Sequence, residues 1–430
     1  MKIIRTDSAE FEGVFRKIRE RGRVFDPDLW AAVGRIVEDV GLRGDEALFE
    51  YTSRWDGHEV TAATVEASAD ERQAAVAQVS PEDMAVLVMA AGRIQRFHEY
   101  QRSESWSVKE GEGIELGQRI LPLERVGIYA PGGLASYPST VLMTAIPARI
   151  AGVGEIVLVT PSRDGRLNPL IAAAAELGGV TRIFKIGGAQ AIAALAFGTA
   201  AIPQVDKIVG PGNAYVAAAK KMVFGRVAID MIAGPSEVLI IADGTGDAAC
   251  AAADLLAQAE HDETASAILL TPDGNYARAV AGEVGRQLAE LPRREIAARS
   301  LDAFGAAIVT RDLEEAVALA NRFAPEHLEL LVQDPRSLLA GVRNAGAIFL
   351  GMHTPEALGD YMAGPNHVLP TGGTARFSSP LGVYDFVKRT SILDFSRAAL
   401  GRCGRETVRF AEMEGLGGHG NSVRRRLEAP

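Results

Sequence analysis

The spacing of apolar residues changes near Arg125. Before this point apolar residues recur every three or four positions, as in PEDMAVLVMAAGRIQRFHEY, and such spacing predicts amphipathic helices. After it, short runs rich in β-branched residues alternate with alanine-rich stretches of helical spacing. Strands that alternate with helices of about 10–15 residues are typical of parallel sheets built from βαβ units. The pattern therefore predicts an α/β fold with a helical N-terminal part.

Seven runs in the second part are predicted strands: VGIYAP, EIVLVTP, RIFKIGG, KIVGPG, VLIIAD, AILLTP and AAIVT. Four stretches between them are predicted helices: LNPLIAAAAELGG, AQAIAALAFG, NAYVAAAKKMV and DAACAAADLLAQAEH. Seven strands exceed one small sheet, so we expect two linked α/β units, with ligands at the carboxyl ends of their strands. After Pro370 the chain becomes glycine- and polar-rich and then helical. We expect this tail to pack on its own domain or on a second subunit.

Composition and charge exclude several classes of function. The 430 residues include 55 acidic and 45 basic ones, a net charge of −10, and they lack the basic face of a duplex-binding protein, so we expect no nucleic-acid partner. The two cysteines, Cys250 and Cys403, form neither a disulfide framework nor a cysteine-rich zinc site. A reducing, cytoplasmic setting is expected.

Two uncharged runs, 126–148 and 186–205, are long enough to cross a membrane. Glycines and prolines interrupt both, which is typical of strand–turn–helix units in a buried core, so we expect no membrane segment. The N-terminus carries charges throughout and lacks an apolar core, so no secretory signal is expected.

Two glycine turns each follow a predicted strand and open a helix, Gly187-Gly188-Ala189-Gln190 and Gly210-Pro211-Gly212-Asn213. A helix N-terminus offers free N–H groups to an anion, and glycine lets a ligand approach the backbone. Neither turn matches the dinucleotide pattern G-x-G-x-x-G, and Asp230 is a poor match for the acidic residue that binds ribose. A nucleotide site and ordinary tight turns both remain open on this evidence.

Gln258 and His261 stand three residues apart near the end of a predicted helix, so their side chains share one face. Together they could hold a metal ion with ligands from elsewhere. A histidine near a helix C-terminus is also favoured by the helix dipole alone. On this spacing alone the structural interpretation is favoured.

Glu326 and His327 follow Pro325, which is expected to begin a helix through LELLV. A helix N-terminus explains the glutamate but disfavours a cationic histidine, whereas a neutral imidazole suits a general base. Two glycine-punctuated loops carry further candidates, Asp360 in GDYMAGPNH and Glu414 and His419 in EGLGGHG. Polar chemistry in such turns indicates a site more than a solvated face.

Eight ordered motifs together resemble the L-histidinol dehydrogenase family, from Arg125 over about 70% of the chain: PGGLASYPSTVLMTAIPARIAGV, GGAQAIAALAFGT, VGPGNAYVAAAK, AGPSEVLIIAD, LLAQAEHD, FAPEHLELL, GDYMAGPNHVLPTGGTARFSSPL and EGLGGHGNSV. The resemblance implies a zinc-binding homodimer with shared active sites that oxidises L-histidinol through the aldehyde to L-histidine, consuming two NAD⁺.

The family resemblance also implies two Rossmann-like domains, one inserted in the other, and a C-terminal tail exchanged between subunits. The expected division is a helical segment at 1–24, a first domain at 25–125 and 238–378, a second at 126–237 on the NAD side, and a dimerisation tail at 379–430.

Carried onto this sequence, the family's functional residues form four sets. The implied ligands of one Zn²⁺ per subunit are Gln258, His261, Asp360 and His419, the last supplied by the partner subunit. The implied substrate contacts are Ser236, Gln258, His261, His327, Asp360, Glu414 and His419. The implied NAD contacts are Tyr129, Gln190 and Asn213. The implied catalytic residues are Glu326 and His327.

In the mechanism that the resemblance implies, His327 removes the alcohol proton while hydride leaves for NAD⁺. Glu326 then activates water for attack on the aldehyde, and His327 helps deprotonate the gem-diol for the second hydride transfer. Both bases can face one carbon only if the backbone between them is irregular. Ile232 and Gly382 depart from the family pattern, where proline and serine are common, and neither is an implied ligand or base.

Two rival functions remain. A related zinc dehydrogenase acting on another polar alcohol, such as a sulfonated diol, would keep the metal and base residues but change the substrate end. A non-catalytic protein that binds a nucleotide or metabolite would keep only the fold, and the retained Glu326 and His327 count against it.

Overall fold

A computed structural model of the chain describes residues 1–21, 26–132 and 137–429. The expected domain boundary at 24 and 25 and part of the PGGLASYPST motif lie outside these residues. The chain forms two compact units, one of Met1–Gln101 with Glu124–Phe386 and the other of Arg102–Leu123 with Val387–Pro430.

The described strands are, in chain order, β1 (Lys2–Arg5), β2 (Trp106–Lys109), β3 (Ile114–Pro122), β4 (Arg125–Tyr129), β5 (Glu155–Val159), β6 (Arg182–Phe184), β7 (Lys207–Val209), β8 (Ala228–Ile229), β9 (Glu237–Ala242), β10 (Ser266–Thr271), β11 (Ala306–Val309), β12 (His327–Leu331), β13 (Ala347–Leu350) and β14 (Val387–Phe395).

The described helices are α1 (Phe11–Glu20), α2 (Pro27–Arg43), α3 (Asp45–Asp56), α4 (Ala69–Val76), α5 (Pro81–Glu99), α6 (Pro138–Ala151), α7 (Pro169–Gly178), α8 (Gly188–Phe197), α9 (Ala214–Val223), α10 (Ala248–Ala259), α11 (Gly274–Leu288), α12 (Arg294–Phe304), α13 (Leu313–Phe323), α14 (Pro335–Leu339), α15 (Glu356–Tyr361), α16 (Arg397–Met413) and α17 (Gly417–Glu428).

The larger unit contains two parallel sheets. The first has five strands in the order β6-β5-β4-β7-β8, and the second has six in the order β1-β11-β10-β9-β12-β13. Every strand pair in both sheets is parallel, and all seven predicted strands lie in them. The α/β class with parallel sheets is therefore confirmed.

The central strands of both sheets are buried on both faces, which explains their uninterrupted apolar sequences. All six residues of β9 and all six of β10 are buried. In the first sheet, α8 packs its alanine-rich surface against the core, where Ala191, Ile192 and Leu195 are fully buried. Small alanine side chains let helix and strand approach closely, so these stretches form core helices and not surface ones.

Local capping fixes where the helices begin. Asn213 caps α9 by accepting hydrogen bonds from the backbone N–H groups of Tyr215 and Val216, each at 3.1 Å. Asp247 caps α10 in the same way through Ala249 N–H at 2.8 Å. The cap of α10 fixes the register of the helix whose last turn carries Gln258.

The smaller unit holds a three-stranded antiparallel sheet in the order β14-β3-β2, together with α16 and α17. The tail was expected to be helical after its polar stretch, but Val387–Phe395 is a strand paired along its length with β3. Its sequence, VKRTSILDF, is rich in polar residues and has no alternating pattern, so its pairing with β3 and not a local signal makes it a strand. Most of its residues are exposed in this unit.

Among the described residues, no single helix has the length and apolar character needed to cross a membrane. One bent pair, α4 with α5, passes that test by length and composition only.

Candidate active site

Glu326 and His327 lie at the start of a strand, and the helix expected there is wrong. Ala324 ends α13 in the left-handed conformation, at φ 57°, and His327 is the first residue of β12. The apolar run HLELL is buried between β9 and β13, where backbone pairing outweighs the helix-starting signal of Pro325. His327 Nδ1 lies 3.7 Å from Glu326 Oε2, so the two adjacent side chains are close together where the chain enters β12.

The imidazole of His327 is fixed in one tautomer. Its Nδ1 donates to the carbonyl oxygen of Glu237 at 3.0 Å, which leaves Nε2 as the acceptor nitrogen. Nε2 is buried without a hydrogen-bond partner among the described residues and lies 3.9 Å from Asp360 Oδ1. Burial lowers the pKa of His327, because the cation would lose its hydration, and the nearby Asp360 opposes this. A neutral imidazole with a free nitrogen is what a general base requires.

The carboxylate of Glu326 lines a cavity of about 180 Å³. Its Oε2 accepts a hydrogen bond from Glu237 N–H at 2.9 Å. Burial raises the pKa of Glu326 well above its usual range, with help from the charges of Glu237 and Asp360. A carboxyl group with a raised pKa is a stronger base when ionised, as water activation demands.

The cavity joins the two sheets of the larger unit. Its walls include the turn after β7, at Gly210 and Gly212, and the start of β9, at Ser236. His367 also lines it, and its Nδ1 donates to the carbonyl oxygen of Asp360 at 3.0 Å. The first sheet thus contributes the carboxyl ends of its strands, as expected. The second contributes the amino ends, which corrects the expectation that ligands would meet carboxyl ends throughout.

Three side chains form a cluster able to hold a metal ion. Ligand atoms of His261, Glu356 and Asp360 lie within 4.8 Å of one another. Burial raises the pKa of Glu356 well above its usual range, and the charges of Asp360 and Glu329 add to this. Imidazole nitrogen and carboxylate oxygen are ligands that zinc prefers, and a cation here would offset the repulsion between the acids. The donor set therefore fits a divalent metal.

Gln258 belongs to the same cluster and is fully buried in the last turn of α10. With its amide nitrogen toward Glu356, it donates to Oε1 at 3.0 Å and to the carbonyl of Glu237 at 3.2 Å. In the opposite orientation the amide oxygen faces only acceptors, an arrangement that a cation between them would favour. Gln258 can therefore offer its amide oxygen to a cation held by His261, Glu356 and Asp360.

Glu356 is the member of this cluster that the motifs did not single out. It stands four residues before Asp360, so both acids lie on one face of α15. That spacing is visible in PEALGDY and could have indicated the pair. Glu237, which follows Ser236 in GPSEV, was also overlooked, because a glutamate at the start of an apolar strand carries no spacing signal.

Glu414 and His419 lie in the smaller unit, and both are exposed there. Glu414 follows the last residue of α16, and His419 is in the first turn of α17. The structure therefore brings Ser236, Gln258, His261, Glu326, His327 and Asp360 together in the larger unit, and describes these two residues separately.

The three predicted NAD contacts lie around the carboxyl ends of β4, β6 and β7. The Tyr129 hydroxyl accepts from Gly188 N–H at 3.1 Å, and burial raises the pKa of Tyr129 to about 12. Gln190, in the first turn of α8, is buried, and its Oε1 has no hydrogen-bond partner among the described residues. Asn213 is exposed at the start of α9.

The turn between β7 and α9 requires glycine. A Cβ on Gly210 would lie 2.2 Å from the carbonyl oxygen of Tyr129, and Gly210 has φ 109°. β4 and β7 flank the point where the strand order of this sheet reverses, because the chain builds outward through β5 and β6 and then returns. Such switch points are where ligands bind in open α/β sheets.

Comparisons with known proteins identify relatives over the full chain. The family model described as Histidinol dehydrogenase matches residues 19–427. A histidinol dehydrogenase from Syntrophotalea carbinolica is 58% identical over 428 residues, covering 100% of this chain and 99% of that protein. One from Geobacter sulfurreducens is 56% identical over 429 residues and covers 100% of both. A crystal structure of histidinol dehydrogenase from Elizabethkingia anophelis superposes with a TM-score of 0.93 at 39% identity, covering 100% of this chain and 98% of that one.

Proposed function

The chain belongs to the histidinol dehydrogenase family, and from that premise we propose how its residues oxidise the substrate. It is an NAD-dependent oxidoreductase that acts on L-histidinol in histidine biosynthesis. The resemblance of the eight motifs is thereby confirmed. Enzymes of this family need NAD and typically a metal.

His327 is the base that removes the substrate proton at each oxidation. The observation that carries this assignment is the hydrogen bond from Nδ1 to Glu237, which leaves Nε2 free and unpartnered within the described part of the site. A buried neutral imidazole needs no deprotonation before it acts. As hydride leaves the substrate carbon for NAD⁺, Nε2 takes the hydroxyl proton.

Glu326 is the base of the aldehyde step. Its carboxylate lines the same cavity, with Oε2 held by a backbone N–H group, and no hydrogen bond to Oε1 is present among the described residues. Oε1 is therefore available to take a proton from water as the water attacks the aldehyde carbon. In the same step the protonated His327 returns its proton to the aldehyde oxygen, which completes the gem-diol and restores the neutral imidazole. His327 then takes a hydroxyl proton from the gem-diol as the second hydride leaves for another NAD⁺.

We assign Gln258, His261 and Asp360 as ligands of one Zn²⁺ per subunit, with His419 contributed by the partner subunit. The clustering of His261 and Asp360 with Glu356 supports this donor set. When bound, the metal would hold and orient the substrate. Ser236, Glu414 and His419 would complete the substrate contacts, and Tyr129, Gln190 and Asn213 would bind NAD.

These assignments require a homodimer with shared active sites and an exchanged C-terminal tail. We retain the domain division at 1–24, 25–125 with 238–378, 126–237 and 379–430, and a cytoplasmic location, as parts of the same proposal. Equilibrium sedimentation would test the dimer. Zinc titration of dimer and monomer would test the shared site, because a monomer without His419 of the partner subunit should bind zinc more weakly.

The function is tested by NADH formation from limiting L-histidinol and excess NAD⁺, with and without a chelator. We expect two NADH per histidinol, loss of activity on chelation and recovery with zinc. One NADH per histidinol would mean that the second oxidation does not occur, which would contradict the proposed role of Glu326. No NADH from folded, zinc-loaded enzyme would contradict the assignment of L-histidinol as the substrate. In that case a panel of polar alcohols, including a sulfonated diol, would identify the substrate.

A further inference from the structure

Arg21 is a buried arginine that none of these roles uses. It follows α1, and its side chain is 2% exposed. The guanidinium donates to the carbonyl oxygens of Thr264 at 2.8 Å and Ser236 at 3.0 Å, and to Glu237 Oε1 at 3.2 Å. It also donates to the carbonyls of Ile18 and Pro235. An arginine held by so many buried acceptors is fixed in position.

Glu237, the partner of Arg21, contacts both proposed bases. Its Oε2 accepts from Glu326 N–H at 3.2 Å, and its own N–H donates to Glu326 Oε2 at 2.9 Å. The two glutamates thus hold each other by reciprocal hydrogen bonds between backbone and side chain. The carbonyl of Glu237 also accepts from His327 Nδ1, and its Oε1 accepts from Gly372 N–H at 3.2 Å.

The charge of Arg21 matters because the neighbouring groups are acids. Burial raises the pKa of Glu237, and the nearest opposing charge is Arg21. Arg21 likewise opposes the raised pKa of Glu326. Removing one partner of a buried ion pair leaves an uncompensated charge, which is costly. Without Arg21, the buried Glu237 carboxylate would lose its ionic partner and leave the position in which it accepts from Glu326 N–H, and the reciprocal hydrogen bonds would loosen.

We propose that Arg21 and Glu237 are positioning residues that hold the Glu326 carboxylate in place for water activation. The inference rests on the proposed role of Glu326 in the aldehyde step. Arg21 acts through Glu237 and touches neither substrate nor reacting atoms. Because Glu326 serves only the second oxidation, disturbing this support should slow that oxidation selectively. Residues that orient a functional side chain typically contribute about 10-fold to 100-fold to activity.

The experiment compares Arg21→Met, Arg21→Lys and Glu12→Gln in the zinc-loaded enzyme. Glu12→Gln is the matched control. It removes the ion pair between Glu12 of α1 and Arg322, and this pair has no contact with the site. The values of kcat and KM are measured separately for L-histidinol with the first NADH, and for L-histidinaldehyde supplied directly. NADH per limiting histidinol and zinc content are measured in parallel.

We expect Arg21→Met to lower kcat for aldehyde oxidation about 10-fold to 100-fold, with the first oxidation changed less than 3-fold. KM for NAD⁺ and zinc content should stay at the wild-type values. Arg21→Lys should recover part of the loss, because it restores the charge beside Glu237, and Glu12→Gln should leave both steps unchanged. An equal loss in both steps, or no loss in folded Arg21→Met enzyme, would overturn the proposal.

Two further variants keep the test decisive. If Arg21→Met does not fold, Glu237→Gln is used instead. It removes the partner charge and keeps the bond from its own N–H to Glu326 Oε2, but its amide oxygen can accept at only one of the two carboxylate positions. The same selective loss is expected, and an equal loss in both steps would refute the proposal. Glu326→Gln is measured alongside. If Glu326→Gln slows the aldehyde step and the Arg21 and Glu237 variants do not, only this inference fails. If Glu326→Gln leaves the aldehyde step unchanged, the proposed role of Glu326 itself fails.

Discussion

The two parallel sheets of the larger unit border one cavity with opposite ends of their strands. The five-stranded sheet presents the carboxyl end of β7, at Gly210, where the chain turns into α9. The six-stranded sheet presents amino ends, at Ser236 before β9 and Glu326 before β12. The physical difference lies in which backbone groups are free at each edge.

At the carboxyl edge, helix N-termini offer N–H groups to an incoming anion, which suits the phosphates of NAD. At the amino edge, strand N–H groups instead bond to acids of the chain itself, as Glu237 and Glu326 do for each other. We propose that the first edge binds NAD and that the second holds the two bases in place. We therefore expect changes at the amino edge to alter the rate of chemistry, and changes at the carboxyl edge to alter affinity for NAD.

The largest effect is expected from His327→Asn at the amino edge. Removing the general base should lower kcat about 10²-fold to 10⁴-fold for both oxidations, while KM for NAD⁺ changes little. Steady-state rates with L-histidinol and with L-histidinaldehyde measure this directly. The control is His353→Asn, an exposed histidine, which should behave as wild type. A wild-type rate for His327→Asn with intact zinc content would mean that another residue is the general base.

Glu326→Gln should separate the two oxidations. Glutamine can still accept from Glu237 N–H, so the fold of the turn is kept, but it cannot take a proton from water. We expect aldehyde oxidation to fall about 10²-fold and the first oxidation to fall far less, so that NADH per histidinol approaches one. The alcohol step of the same variant is the internal control. An equal loss in both steps would contradict the assignment of Glu326 to the second oxidation alone.

Gln190→Ala tests the carboxyl edge. The buried Gln190 Oε1 has no hydrogen-bond partner within the described structure, and a bound cofactor would supply one. Loss of one hydrogen bond costs about 1 kcal/mol, so KM for NAD⁺ should rise about 5-fold to 10-fold with kcat nearly unchanged. Gln204→Ala, an exposed glutamine on the same unit, is the control. A fall in kcat without a change in KM would contradict the expectation that the carboxyl edge determines affinity for NAD.

The last effect concerns the stability of the fold and not the rate of the reaction. Burial raises the pKa of Asp254 to about 6, and the side-chain hydrogen bond with Glu329 of β12 opposes part of this rise. In the unfolded chain this carboxyl group has a pKa of about 4. Because its pKa is higher in the folded state, its contribution to stability is complete below pH 4 and is lost as the pH rises through about 6. Asp254→Asn should therefore be more stable than wild type at pH 8 by about 1–3 kcal/mol, with no difference at pH 3.5.

Thermal unfolding at the two pH values measures this difference. Asp302→Asn, which neutralises an exposed carboxylate on α12, should show no such gain. Lower stability of Asp254→Asn at pH 8 would mean that the carboxylate makes a favourable contact that outweighs its burial.

The strands of the parallel sheets were predictable where their sequences are both apolar and β-branched. EIVLV, VLIIA and AILLT satisfy this condition, and each is a buried strand. HLELL fails it, since leucine favours helices and Pro325 mimics a helix start. Only its pairing with β9 and β13, which no local signal encodes, makes it a strand.

The residues of the site also divide into those that the sequence could predict and those that it could not. Gln258 and His261 have the three-residue spacing of one helical face, so they could be found along the chain, and the structure places Gln258 in the last turn of α10 and His261 just beyond its end. Arg21 and Glu237 are separated by more than half of the chain, and nothing near either residue indicates the other. Their ion pair results from the docking of α1 beneath the start of β9. Long-range burial of this kind leaves no periodic pattern in a sequence.

The parallel pairing of β1 with β11 has a consequence for the order of folding during synthesis. Ile3 pairs with Ala307, so the first strand to leave the ribosome has no partner until nearly three quarters of the chain has followed. At ordinary rates of synthesis this delay is roughly 15–60 s. The five-stranded sheet draws all its strands from residues 125–229 and can form during that interval. Through that interval Ile3 and Ile4 stay without their strand partners, and the charged residues around them in MKIIRTDSAEFEGVFRKIRE disfavour association with other chains.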